Sequence, residues 1–113
     1  AAAEFIEPLK AAMENLADLT QWVIDQAQGN PNEIGAASLE YLHVFGYAAY
    51  AYMWARMAVV SLPKANEDFY KAKLATARFY IKRVLPRYIG LSAVVKGGSE
   101  SLYELDEALF VTA

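Results

Sequence analysis

Tyr41–Met57 reads YLHVFGYAAYAYMWARM, and this stretch decides the fold. Arg56 is its one formal charge in seventeen residues. At about 100° per residue on a helical wheel, Ala48, Ala51, Ala55 and Ala58 form a seam of small side chains that admits a neighbouring helix closely. His43, Tyr47, Tyr50 and Trp54 form an aromatic stripe about 90° away. Leu42, Gly46, Ala49, Met53 and Val60 make a third face, and Tyr41, Phe45, Tyr52 and Val59 fill the remainder. A helix that is apolar all round either spans a membrane or is enclosed by other helices. Leu42 to Leu62 is about twenty residues, enough for a bilayer. However, His43 and Arg56 fall inside it, and tyrosines occur throughout rather than at its ends. The pattern therefore predicts an enclosed helix and no membrane span.

Outward from this stretch, the helix runs from Glu33 or Ile34 to Leu62, where Pro63 ends it. Before it, Pro8–Gln28 is amphipathic. Leu9, Met13, Leu16, Thr20, Val23 and Ala27 recur at spacings of three and four, opposite a carboxylate row of Glu7, Glu14, Asp18 and Asp25. Gly29-Asn30-Pro31-Asn32 turns the chain. After it, a third helix begins with Asn66 as cap and reaches Lys96, with a kink or break at Pro86 and a stop at Gly97-Gly98. Ser99 caps a short turn to Leu105, and the tail DEALFVTA is expected to dock through Leu109 and Phe110. No apolar alternation marks a strand. The expected fold is all-α: an antiparallel bundle of three long helices with a short C-terminal helical turn and tail, forming one domain over 1–113.

Composition narrows the function. The chain is 57% hydrophobic and carries a net charge of -3, which excludes disorder and disfavours general nucleic-acid binding. It has no cysteine, so there is no disulfide framework, thiolate metal site or Cys nucleophile. That is consistent with a cytoplasmic protein. The N-terminus, AAAEFIEPLK, lacks the basic-then-apolar order of a signal peptide, and without an initiator Met it reads as a piece of something longer.

No catalytic set can be assembled. His43 is the single histidine, with no second ligand on its stripe, so it reads as a packing or interface residue and no metal site is expected. Ser38 and Ser61 share its helix but lack an elbow motif. Lys71, Arg78 and Lys82 form a basic row, with no glycine-rich loop to make it a phosphate site. Gly97-Gly98-Ser99 reads as a helix stop followed by a cap. Lys73 lies on the third helix's apolar face and needs a partner, for which Glu40 is the candidate and tyrosine hydroxyls are the alternative. Arg56 poses the same problem, and Asp68 could reach it. These three, Glu40, Arg56 and Lys73, are structural charges. The first and third helices each offer one apolar face, and two faces cannot cover four. The His43, Tyr47, Tyr50 and Trp54 stripe is thus expected to meet protein outside this chain or another copy of it.

YLHVFGYAAYAYMWARMA followed by DFYKAKLATARFYIKRVLP resembles the C-terminal helical domain of a branch of bacterial acyl-CoA dehydrogenases. The matching positions are Tyr41, Leu42, Phe45, Gly46, Met53 to Ala58, Phe69, Tyr70, Lys73 to Phe79, Leu85 and Pro86, and the closing SESLYELDEALF also fits. The resemblance covers nearly the whole chain. It implies a parent flavoenzyme that removes two hydrogens from the α and β carbons of an acyl-CoA thioester. The catalytic base and FAD contacts would lie in preceding domains, so no catalytic or cofactor residue is carried over to this segment. The implied role is a noncatalytic assembly domain that packs on the rest of the dehydrogenase or at a subunit interface of a homo-oligomer. A stand-alone helical dimerisation module or an apolar-ligand-binding bundle is the alternative.

Overall fold

In the computed structural model, residues 2–104 are described. Among these residues five α-helices follow one another: α1 (Ala3–Gly29), α2 (Asn32–Ser61), α3 (Asp68–Phe79), α4 (Arg87–Lys96) and α5 (Glu100–Tyr103). Leu62–Lys64 is a 3-10 turn and Tyr80–Val84 a π-helical turn. The all-α bundle expected from periodicity is what forms. The expected turn-plus-tail begins as α5; Leu105, Leu109 and Phe110 lie outside the described residues.

Each boundary has a local cause. Asn30 adopts an extended conformation after α1, and its Oδ1 accepts from the Asn32 N–H at 3.1 Å, which turns the chain into α2. Pro86 has no N–H, and its ring collides with the carbonyl four residues before it. The preceding turn widens to accommodate this: Leu85 N donates to Tyr80 O at 2.8 Å, a five-residue step. The break expected at Pro86 is therefore a π turn, after which Pro86 leads into α4. Gly98 takes φ 78, a left-handed conformation that suits glycine, and directs the chain back toward the α1–α2 turn. There Ser99 donates from its N–H and its Oγ to Glu33 Oε1, at 3.2 and 2.7 Å.

Two boundaries differ from the sequence reading. Glu67, not Asn66, is the cap residue of α3, in extended conformation and without a side-chain cap bond, because a further turn after the 3-10 segment displaces the start by one residue. Helix α1 begins at Ala3 rather than near Pro8, so Pro8 sits inside it. The added turn brings in Phe5, which becomes fully buried with Ala12 and Leu19. The buried stripe centres on Phe5, Ala12 and Leu19, about a quarter turn from Met13, which is left 46% exposed.

Helix α2 is the central rod, antiparallel to α1 and to the third rod made by α3, the π turn and α4. Cross-links between α1 and the third rod rise together in number: Glu4 with Arg78, Asn15 Nδ2 to Ser92 Oγ (2.8 Å), and Asp18 with Lys96 (3.1 Å). Those two rods therefore run in the same direction and close one side of the bundle. Ala48, Ala51, Ala55 and Ala58 are all at most 1% exposed, so the small-residue seam is where α2 meets its companions. One core gathers Phe5, Leu74, Ile81 and Leu85 onto this seam; a second joins Leu19, Ala37, Val44 and Val95. The result is slender, with Cα extents of 66 × 30 × 14 Å and a radius of gyration of 18.8 Å. A compact chain of this length would have about 13 Å.

Candidate interaction surface

The side of α2 opposite the alanine seam has no cover among the described residues. Leu42 is 62% exposed, Phe45 51%, Met53 54% and Val60 63%, with Leu39 and Tyr50 equally open and Gly46 and Ala49 between them. Full burial of such a side chain contributes roughly 1.5–3 kcal/mol. The half still exposed on Leu39, Leu42, Phe45, Met53 and Val60 thus leaves roughly 5 kcal/mol in all for a partner to gain, before the costs of association.

The face is extended on both flanks. Toward α1, Val23, Ile24, Ala27, Ile34, Leu42 and Phe45 line a groove of about 870 Å³. Toward α3, Met53, Arg56, Met57, Val60, Phe69 and Lys73 line a hollow of about 410 Å³. Hydroxyls at the groove edge are spent locally. Thr20 Oγ1 donates to Leu16 O at 2.7 Å, so the 2.6 Å bond with Tyr41 must have the Tyr41 hydroxyl as donor.

The aromatic stripe divides. Tyr47 and Trp54 are half-buried against the core of their own chain. His43 is exposed, and Tyr50 is exposed on the border of the open face. The wheel carried a signal for the more open set: Leu42, Gly46, Ala49, Met53 and Val60 lie diametrically opposite the alanine seam, whereas the aromatic stripe lies beside it.

The charged residues also find places other than those expected. Among the described residues the ion pairs are Arg78–Glu4 and Lys96–Asp18; Arg56 and Asp68 do not pair, nor do Glu40 and Lys73. Arg56 and Lys73 line the same hollow near the end of α2. Glu40 is sixteen residues before Arg56, about 24 Å along the helix, so it cannot reach Lys73. Arg56 instead stacks 5.7 Å from the centre of the Tyr52 ring, and Lys73 lies 5.4 Å from that of Phe69. Of the basic row, Arg78 takes Glu4, while Lys71 and Lys82 are exposed. The acidic row on α1 is exposed, with Asp18 bound to Lys96 and Asp25 accepting from Gln21.

Tyr80 is the buried titratable group. Its hydroxyl donates to the Tyr47 carbonyl at 2.7 Å. Burial, and secondarily the neighbouring Tyr47 and Tyr50 phenols, push its pKa from 10.0 up to about 12. This bond locks the third rod to α2 at the π turn. The Gly97-Gly98-Ser99 stretch does not form an anion cradle, because its Ser99 donors are taken by the Glu33 carboxylate, whose charge would repel a phosphate. Among the described residues no three His, Cys, Asp or Glu side chains gather as metal ligands. No described helix is long and apolar enough to cross a membrane.

Comparison with known proteins gives one family. A family model described as "Acetyl-CoA dehydrogenase C-terminal like" matches residues 1–106. Among curated proteins, no sequence matches the chain.

Proposed function

Because the chain belongs to the acetyl-CoA dehydrogenase C-terminal-like family, we propose that it is a noncatalytic assembly domain of a flavin-dependent acyl-CoA dehydrogenase. The parent enzyme would carry out α,β-dehydrogenation of an acyl-CoA thioester, with FAD and the catalytic base held by its other domains. Placing the flavin contacts in other domains is supported by the one Gly-Gly-Ser stretch among the described residues, which closes on Glu33. The observation that supports the assembly role is the open apolar side of α2, with Leu42, Phe45, Met53 and Val60 each more than half exposed. Such contiguous surface marks a contact with other protein. The contact would be made with the body of the dehydrogenase, within a subunit or across a homo-oligomer.

The test is to place Leu42→Glu and Met53→Glu in the longer polypeptide that carries this chain, then measure sedimentation and bound flavin. Assembly should weaken while flavin content per subunit stays unchanged. Unaltered assembly, or stoichiometric flavin co-purifying with the 113-residue chain alone, would overturn the proposal.

A further inference from the structure

The open face of α2 carries information about what covers it. We propose that it receives an amphipathic helix from outside this chain, whose apolar stripe lies along Leu39–Val60 and whose carboxylate, near one end, is held by Arg56 and Lys73. This rests on the assembly reading and specifies the chemistry of the partner.

Length is the first ground. Leu39 to Val60 is twenty-one helical steps, about 32 Å. A small molecule cannot cover that. A helix of about six turns can. Helix-in-groove recognition places apolar anchors at spacings of three and four along such a face.

Charge is the second. Arg56 and Lys73 border the hollow formed with Met53, Met57, Val60 and Phe69. Neither belongs to an ion pair among the described residues. Covering this hollow with apolar side chains alone would strip water from two cations and leave them only the Tyr52 and Phe69 rings as partners. A carboxylate on the partner removes that penalty and fixes the register of docking.

The same charges argue against a second copy as the occupant. The carboxylates of α2 are Glu33, which binds Ser99, and half-buried Glu40, which lies outside the open face. An antiparallel α2–α2 pair over Leu39–Val60 would set Arg56 near His43 of the second copy, which supplies no carboxylate. A parallel pair would set Arg56 against its own counterpart, like charge on like.

The probe is a labelled synthetic peptide of about six helical turns, with a Leu/Ala stripe and one Glu near its end, compared with versions carrying Gln or Lys there. Fluorescence anisotropy is measured against the 113-residue chain. The Glu peptide should bind about two- to fivefold more tightly than the Gln peptide, with the Lys peptide weakest. In an Arg56→Gln/Lys73→Gln variant, checked for unchanged helicity, that preference should vanish while the Gln peptide's affinity holds. Equal affinity of the Glu and Gln peptides for the unaltered chain overturns the carboxylate claim and leaves the assembly reading standing. So does a tight dimer by sedimentation that Met53→Glu splits and no peptide displaces, since the face then belongs to a second copy. If no peptide binds and the Glu substitutions also leave the whole enzyme's assembly unchanged, both proposals fall.

Discussion

Two alanines two residues apart on α2 test the packing argument directly. Ala51 is fully buried, whereas Ala49 is exposed on the open side. Leu is substituted at each in turn. Both sites are in the helix interior, so the change in helix propensity is the same and small. Each substitution adds three carbons, and only their surroundings differ. At Ala51 those carbons enter a close-packed junction beside Ala48, Ala55 and Ala77, all within 1% of full burial. Overpacking such a site costs about 1–3 kcal/mol, because interiors at crystal-like density do not yield. At Ala49 they enter solvent, and the effect stays within about 0.5 kcal/mol. A domain of this size has about 5 kcal/mol of stability at the low end, so Ala51→Leu removes between a fifth and more than half. Urea denaturation followed by circular dichroism reads this out. With an m-value of about 1 kcal/mol/M, the Ala51→Leu midpoint falls by about 1–3 M at unchanged slope, and the Ala49→Leu midpoint by less than about 0.5 M. Equal midpoints would refute the claim that α2 has one closed side and one open side.

Gly46 is helical, and a Cβ built there meets nothing within 4 Å, so Gly46→Ala should raise thermal stability of this chain by about 0.5–1 kcal/mol; calorimetry checks the sign, and weaker assembly of the parent enzyme would show that a partner approaches that spot. Tyr80→Phe removes the bond to the Tyr47 carbonyl and should cost about 1 kcal/mol at neutral pH. With the folded pKa raised from 10.0 to about 12, the unfolded chain loses the Tyr80 proton first, so this residue's stabilisation is intact below pH 10 and lost as pH rises toward 12. The gap in unfolding free energy between the unaltered chain and Tyr80→Phe should therefore narrow between pH 10 and pH 12, by about 1 kcal/mol after solvent screening; a constant gap would contradict the assignment.

Periodicity revealed the rods because each has a face that must be buried, and Pro63, Pro86 and the Gly29 and Gly97 stops cut them at readable places. It did not reveal how wide the turn before Pro86 becomes, since a missing N–H says that a bond is lost but not how the backbone recovers it. Nor did it supply register. Glu40 and Lys73 looked like partners because their charges were opposite, but along-helix distance decides, and about 24 Å separates Glu40 from the end of α2 where Lys73 sits. The excess of apolar faces on α2 was legible; which face stays open depended on where both companions settle, and they settle on the same side, against the alanine seam.

The distribution of side-chain size on α2 then explains the slender shape. Its buried positions are Ala37, Val44, Ala48, Ala51, Ala55, Ala58 and Ser61. Leu39, Leu42, Phe45, Tyr50, Met53 and Val60, all larger than alanine, point outward. Close approach of helices across alanines gains dispersion contacts between backbones but removes little apolar side-chain area from water. Much of the large apolar area of α2 is held on the side that the described residues leave open. A helix meant to stabilise only an isolated three-rod bundle would place Leu and Phe at the seam and polar residues outside. The reversed arrangement supplies enough burial to define the fold and leaves large apolar side chains exposed, as the proposed assembly role requires.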